Sequence, residues 1–442
     1  MLIPRPDYMQ KLQNFKDKDQ AKVLTGVRRC GKSTIFTLFQ EYLLGAGIAK
    51  NQIQNINLED IDNEHLLDYK KLHEQVKNNL IPGKMNYIFL DEIQNVKDFE
   101  KVARSLLDKG NVDLYMTGSN SKMLSGEWAT SLSGRYMEIP VFPLSFKEFV
   151  SYISKSVLGT PKSSLELSAQ LPILYDCYTN FGSFPKQVVD FIVPSFKSSN
   201  KPSLATESAE SLFGIYSTIV IKDITDRQRG KGEFISPPIL ENLIKFMAGN
   251  IGNLTSPNGI ANAMTANKTP ITQPTVESYL QAFCDSFILY KAGRFDIQGK
   301  KSLKLNDKYY LVDMGLRYLM VGNKQNADGH ILENIVYLEL LRRGYKVSVG
   351  KITKRTGGEM KTIEVDFVAQ KPGGVVEYYQ VAWNVSGNDD ALSREYGALE
   401  EIKDNYPKYL LTMDQGHGGQ DGIQRLNVLT WLMGDEIMDI TK

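Results

Sequence analysis

The sequence predicts an α/β protein: a parallel sheet covered by helices, then a helical and hairpin region, then a second α/β unit. Three observations predict it. Residues 21–150 alternate short apolar, β-branched runs with amphipathic helical stretches. From about Pro237 the pattern becomes three short helices and a hairpin. From Leu332 a helix, three strands, a helix and a strand follow in turn. Four segments result, 1–150, 151–232, 233–325 and 326–442. A chain of 442 residues has room for them at about 100–200 residues per domain.

Composition excludes several classes. The chain is 42% apolar and 23% charged, ordinary values for a globular protein. Lys plus Arg (52) balance Asp plus Glu (51), so no whole-chain basic field draws it to nucleic acid or anionic lipid, and such binding needs a local patch. Cys30, Cys177 and Cys284 are too scattered for a disulfide framework, and His65, His73, His330 and His417 lack the spacing of a zinc site. No apolar run approaches the ~20 residues of a membrane span. Met1 to Pro6 open no uninterrupted apolar h-region, so no signal peptide is expected. The expectation is a soluble, cytoplasmic protein without a membrane partner.

The first strand, Lys22–Thr25, runs into Gly26-Val27-Arg28-Arg29-Cys30-Gly31-Lys32-Ser33. This segment fits G-x-x-x-x-G-K-[ST] and opens a helix predicted over Ser33–Leu44. Such a P-loop wraps phosphate with backbone N–H groups that converge at a helix N-terminus. Lys32 reaches the β- and γ-phosphates as a point charge, and Ser33 offers its hydroxyl to Mg²⁺. Gly26, Arg28, Arg29, Cys30, Gly31 and Thr34 complete the candidate cofactor-binding loop. A chance glycine turn is the competing reading, and the flanking strand and helix disfavour it. Arg28 and Arg29 are candidates for steadying phosphate charge or touching another domain.

Strand Gln54–Leu58 follows, then Tyr87–Asp91, an apolar strand ended by Asp91-Glu92. That is the form of a Walker B motif: Asp91 holds Mg²⁺ through its water shell and Glu92 polarises the attacking water. The extra strand places Asp91 as in the ATPase branch that carries a catalytic glutamate. The next strand, Leu114–Thr117, ends in Gly118-Ser119-Asn120. Asn120 is assigned the sensor role toward γ-phosphate or water, while Ser119 suits a sensor or a helix N-cap equally. Before the last strand, Tyr136–Val141, Arg135 sits in Leu132-Ser133-Gly134-Arg135. It is either a solvated surface arginine or a finger on a neighbouring subunit's nucleotide in a homo-oligomer.

Arg5-Pro6-x-Tyr8, the loop through Thr34, Phe89-Leu90-Asp91-Glu92-Ile93-Gln94, Thr117-Gly118-Ser119-Asn120 and Ser133-Gly134-Arg135 together resemble the large prokaryotic AAA-type ATPases with a C-terminal domain of unknown function. The similarity continues through Pro143-Leu144-Ser145-Phe146-x-Glu148-Phe149 and Phe181-Gly182-Ser183-Phe184-Pro185, covering most of the chain. It implies ATP binding and slow or regulated hydrolysis, and it names no substrate. Phe181-Gly182-Ser183 departs from the paired glycines usual there, which concerns a turn rather than the nucleotide site.

Ser195 to Ser208 reads as an exposed loop, followed by a helix over Leu212–Arg227 with Ile215, Ile219, Ile221 and Ile224. Helices Leu240–Met247, Gly259–Met264 and Thr275–Ser286 lead to strands Ile288–Arg294 and Lys304–Leu311 around a turn at Gln298-Gly299-Lys300. That is the order of a winged helix-turn-helix. The hairpin sets five bases, Arg294, Lys300, Lys301, Lys304 and Lys308, against two acids, Asp296 and Asp307, and suits a DNA backbone. The competing reading is edge-strand lysines that block aggregation.

The last segment reads as a helix carrying Glu333, strands Lys346–Val349, Thr362–Val368 and Glu377–Ala382, a helix over Ser393–Asn405, and strand Tyr409–Thr412. This order resembles the PD-(D/E)xK restriction-endonuclease fold, where an acid on one strand and acid-x-Lys on the next bind metal and activate water. Asp366 fits the first position and Glu333 the helical acid. Gln380-Val381-Ala382 replaces the second set with a neutral oxygen and no ammonium, so the domain is expected to be inactive as a nuclease.

The functional expectation is Mg²⁺-dependent ATP binding and hydrolysis driving a conformational switch, acting on DNA or on an unidentified protein partner. Glu92, Asn120 and Arg135 are the catalytic candidates, and Ser33 and Asp91 the metal ligands. The alternatives are a nucleotide-gated DNA- or protein-binding adaptor with little turnover, and an ATP-dependent nuclease.

Overall fold

A computed structural model describes residues 2–121, 132, 134–158, 164–198, 206–218, 224–225, 236–322, 328–356, 359–387, 389–416 and 418–434. Ser133, Ile219 and Ile221 lie outside the described residues. The chain divides into two compact units, Met1–Pro143 with Asp285–Phe287, and Leu144–Cys284 with Ile288–Lys442. The segments expected over 151–232, 233–325 and 326–442 thus fall almost wholly in the second unit.

In the first unit α1 (Pro6–Phe15), β1 (Ala21–Thr25), α2 (Lys32–Gly45), β2 (Ile53–Asn57), α3 (Tyr69–Asn78), β3 (Asn86–Asp91), α4 (Phe99–Leu107), β4 (Val112–Gly118) and β5 (Tyr136–Pro140) follow in order. The strands form one sheet in the order β2-β3-β4-β1-β5, and every pairing is parallel. Each strand found lies within a residue or two of its predicted span. Period-two alternation decides the two faces. Ile88 and Leu90 of β3 join Leu72 and Val76 of α3 and Val102 and Leu106 of α4 in one core. Phe89 points the other way, stacking on Tyr115 at 4.7 Å and meeting Phe36 of α2 edge-on at 5.1 Å. The central strands β1, β3 and β4 are buried throughout, as expected of a parallel sheet covered on both faces.

A buried ion pair lies between the strands of this sheet. Lys22 of β1 meets Asp113 of β4 at 2.5 Å. Asp113 also accepts from the Tyr115 hydroxyl at 2.7 Å and the Asp17 backbone N–H at 2.8 Å.

The second unit begins with α5 (Phe146–Ile153), whose Ser145 and Glu148 exchange hydrogen bonds as a capping box. Helices α6 (Ser164–Phe181), α7 (Thr206–Tyr216), α8 (Pro237–Gly249), α9 (Pro257–Ala266) and α10 (Gln273–Asp285) precede the hairpin of β6 (Leu289–Asp296) and β7 (Lys301–Leu311). After α11 (Met314–Val321) and α12 (Asp328–Arg342) come β8 (Lys346–Thr356), β9 (Glu359–Gln370), β10 (Val376–Ala382), α13 (Asp389–Glu400) and β11 (Lys408–Thr412). Beyond these lie β12 (Gly418–Gln420), β13 (Ile423–Asn427) and α14 (Val428–Met433), none of them expected from the sequence.

Among the described residues, eight strands of this unit form one mixed sheet, β12-β13-β11-β10-β9-β8-β6-β7. β8, β9 and β10 are an antiparallel meander, and β11 then pairs parallel to β10. The hairpin is stitched to β8 through Arg294, Phe295 and Asp296, so it continues the carboxy-terminal sheet across the boundary expected at 325.

The turn after α6 explains a motif. Gly182 has φ +83°, and a Cβ there would come within 2.6 Å of the Asp313 carboxylate. Ser183 donates to that carboxylate from both its N–H and its hydroxyl, each at 2.7 Å. Among the described residues no helix is long and apolar enough to cross a membrane.

Candidate functional site

The P-loop leaves the carboxyl end of β1, where parallel strands present their loops. Gly26 needs its lack of a side chain: a Cβ would sit 2.0 Å from the Val141 carbonyl oxygen. Gly31, at φ +103°, turns the chain into α2. Arg29 adopts φ +66° and is exposed, while Cys30 is fully buried behind the loop. Lys32 is buried at the start of α2 and donates to the Gly26 and Val27 carbonyls at 3.0 and 3.3 Å. Ser33 is exposed and Thr34 half-buried on the first turn of α2.

The loop is braced from a distance. Arg5 is buried and donates to the Cys30 carbonyl at 3.1 Å and to the Phe142 carbonyl at 2.9 Å. Its guanidinium lies 4.6 Å from the centre of the Tyr8 ring, and the Tyr8 hydroxyl accepts from the Phe142 N–H at 3.1 Å. These contacts account for Arg5-Pro6-x-Tyr8, which carried the resemblance without a role. Arg28 pairs with Glu59 at 2.5 Å, a loop contact within the same unit.

Sheet order brings the acids to the loop. Because β4 lies between β1 and β3, its tip stands between the P-loop and the end of β3. Thr117 at that tip donates to the Asp91 carboxylate and accepts from the Glu92 N–H at 2.8 Å. It fixes both acids, yet nothing in the spacing of the sequence singles it out. Asp91 and Glu92 are each buried, and Glu92 has a left-handed backbone with φ +55°. That conformation turns its carboxylate back to within 3.5 Å of the Lys32 ammonium. Gln94 donates to Glu92 at 2.5 Å and approaches the Ser119 hydroxyl at 3.4 Å. Burial pushes the Glu92 carboxyl up, but the Lys32 charge, the Gln94 hydrogen bond and Arg28 together bring it below its ordinary value. Asn120 follows β4 at the same edge.

Arg135 is not brought to this site. It precedes β5, and its carbonyl accepts from the Ala21 N–H at the start of β1, at the sheet edge opposite the P-loop. There it pairs with Asp108 at 2.6 Å and Asp19 at 3.1 Å.

The second unit gathers a separate cluster. β9 and β10 pair with Phe367 opposite Tyr379, which sets Asp366 beside Gln380 as the expected register requires. Gln380 accepts from the Asp366 N–H at 3.2 Å and donates to Glu395 at 2.9 Å. Glu333 reaches the same place from α12. The unexpected member is Lys308 of β7, buried and 2.8 Å from Glu333. Its parity with Tyr310, also on Glu333 at 2.6 Å, was the available signal that it faces inward.

This corrects the hairpin's charge. Of the five bases expected on a phosphate-gripping surface, Lys308 is internal and Arg294, 3.9 Å from Glu364, is mostly buried. Lys300 and Lys301 are exposed, and the side chain of Lys304 lies outside the described residues.

Comparison with known proteins agrees with the geometry. The family model "AAA domain" matches residues 18–150, and a domain of unknown function (DUF8612) matches 201–327. An uncharacterized protein of Haemophilus influenzae is 37% identical over 98% of this chain and 99% of its own length. An uncharacterized protein of Methanocaldococcus jannaschii is 30% identical over 87% of this chain and 79% of its own. Among solved structures, the Walker-type ATPase PABY2304 of Pyrococcus abyssi superposes on 72% of this chain and 96% of its own, with a TM-score of 0.50 at 12% identity. That likeness concerns the fold. The chain belongs to the family, shared with these uncharacterized relatives, of P-loop ATPases that join an AAA domain to a carboxy-terminal domain of unknown function.

Proposed function

We propose that this chain hydrolyses ATP with Mg²⁺ at the P-loop and uses the step to switch the conformation of its carboxy-terminal unit. The observation that carries the reading is the meeting of Lys32 and Glu92, 3.5 Å apart, across the tip of β4. A nucleotide-binding lysine and a buried, ionised carboxylate stand on either side of where a terminal phosphate and its attacking water belong. Lys32 exchanges the Gly26 and Val27 carbonyls for phosphate oxygens, while the amides of the loop from Gly26 to Thr34 cradle the phosphates. The exposed Ser33 hydroxyl and Asp91, held by Thr117, are the residues that would hold Mg²⁺, which supplies charge neutralisation on the phosphates. Glu92 takes a proton from the attacking water, and Gln94 keeps its carboxylate aimed. Asn120 is the sensor.

For the second unit, the order helix, antiparallel meander, helix and parallel strand supports a nuclease-like fold used for binding. Helices α8, α9 and α10 with the β6–β7 hairpin support a winged-helix-like module within it. Gln380, neutral and committed to Glu395, argues against cleavage. With two of its five bases turned inward, the hairpin favours a protein partner over DNA.

The test is ATP turnover by wild type and Glu92→Gln, with and without duplex DNA at low and moderate salt. Glu92→Gln should bind ATP and lose about 100-fold or more in turnover, whereas Lys32→Ala should lose binding. Equal turnover in Glu92→Gln would return the nucleotide to a gating ligand. Stimulation by DNA would restore DNA as the partner.

A further inference from the structure

Three carboxylates converge where the β6–β7 hairpin meets the carboxy-terminal sheet: Glu333 from α12, and Glu364 and Asp366 from β9. In a nuclease-like fold this is the place of a divalent metal. The Lys308 ammonium stands 2.8 Å from Glu333, 2.9 Å from Glu364 and 3.9 Å from Asp366. Glu333 also accepts from the Tyr310 hydroxyl at 2.6 Å. The second Asp366 oxygen accepts from the Val381 N–H at 2.9 Å. Arg294 adds a second cation, 3.9 Å from Glu364. Among the described residues no group of three or more His, Cys, Asp or Glu is arranged to hold a metal. The residues do not fit a divalent ion, because an ammonium already occupies the space between the carboxylates.

We infer that Lys308 acts as a built-in cation that closes this carboxylate cluster to divalent metal. The inference rests on the nuclease-like reading of the second unit and not on the ATPase reading of the first. Two physical points carry it. The Lys308 side chain is only 4% exposed, and a lysine so buried persists only where carboxylates compensate its charge. Conversely, a neutral side chain at 308 would leave two or three clustered carboxylate oxygens without their principal cation, the donor set that Mg²⁺ or Mn²⁺ seeks. Lys308 comes from the hairpin while the acids come from α12 and β9, so the same contacts fasten hairpin to sheet.

Nucleotide-free, full-length protein titrated with Mn²⁺, read by the electron paramagnetic resonance of the unbound ion, tests this directly. Wild type should take up no more Mn²⁺ than Asp366→Asn. Lys308→Met should gain one site per chain, at least about tenfold tighter than any in wild type, that disappears in Lys308→Met/Asp366→Asn. Two results overturn the inference: wild-type uptake that Asp366→Asn abolishes, or folded Lys308→Met with no uptake beyond wild type. Should Lys308→Met not fold, Lys308→Gln takes its place under the same criteria, and the wild-type arm decides by itself whether the cluster is closed. ATP turnover enters none of these readouts, so a failed ATPase reading would leave them unchanged.

Discussion

Glu92 combines burial with a neighbouring ammonium, and its carboxyl lies below its ordinary value of 4.5 despite that burial. The sign follows from the direction of the shift. A depressed carboxyl is ionised above about pH 4.5, so turnover that depends on Glu92 as base should be level between about pH 6 and 8 and fall only in acid. Its contribution to stability is likewise present above its unfolded value and lost as the pH drops through the folded one. A pH–rate profile under saturating ATP checks this, and an acid limb near neutrality assigned to Glu92 would contradict it. Arg5 makes a different prediction. It reaches the P-loop through a backbone carbonyl, that of Cys30, so it is a positioning residue. Arg5→Ala should raise KM for ATP more than it lowers kcat and cost about 2–3 kcal/mol in urea unfolding, because two buried carbonyls lose a charged donor. Arg5→Lys should recover only part of the KM, since a single ammonium lacks the two separated nitrogens by which the guanidinium reaches Cys30 and Phe142.

Between strands, the Lys22–Asp113 pair joins β1 to β4 inside the sheet. Asp113→Ala should destabilise the first unit by about 3–5 kcal/mol, read as a lower urea midpoint, since it strands a buried ammonium. Lys22→Met combined with Asp113→Leu should regain much of that loss. Elements of this kind separate what sequence discloses from what it hides. The P-loop and Asp91-Glu92 were legible because their chemistry is local: a loop, a helix start and a strand end lie within a few residues of one another. The central strands β1, β3 and β4 were legible because burial on both faces demands mostly apolar runs. Thr117, Arg5 and Lys308 were not, because each acts on residues far away in the chain. Lys308 in particular reads as an edge-strand lysine until the partner helix α12 is seen. The strands β12 and β13 escaped notice because Gly418–Gln420 and Ile423–Asn427 are short and mostly polar.

Across the whole molecule the charge is nearly balanced, +1 over 442 residues. Arg294 pairs with Glu364 and Lys308 with Glu333 and Glu364, which leaves Lys300 and Lys301 as the exposed bases of the expected five among the described side chains. If duplex DNA binds through the hairpin, the affinity should depend weakly on salt: with Lys300 and Lys301 as the contacts, the slope of log K against log salt should be roughly −2. Fluorescence anisotropy over a salt series measures it, and a slope steeper than about −5 would place the contact elsewhere.

The strand order of the first sheet also has a history in time. β1 and the loop it carries leave the ribosome before both strands that flank it, since β4 and β5 begin about ninety or more residues later. Until Val112–Gly118 has emerged, Lys22 lacks its buried partner Asp113 and β1 lacks the β4 ladder. The phosphate cradle is therefore a late product of synthesis, assembled by long-range closure rather than by local turns. A nascent chain stalled before β4 would carry the whole P-loop signature and have no means of grasping a nucleotide with it.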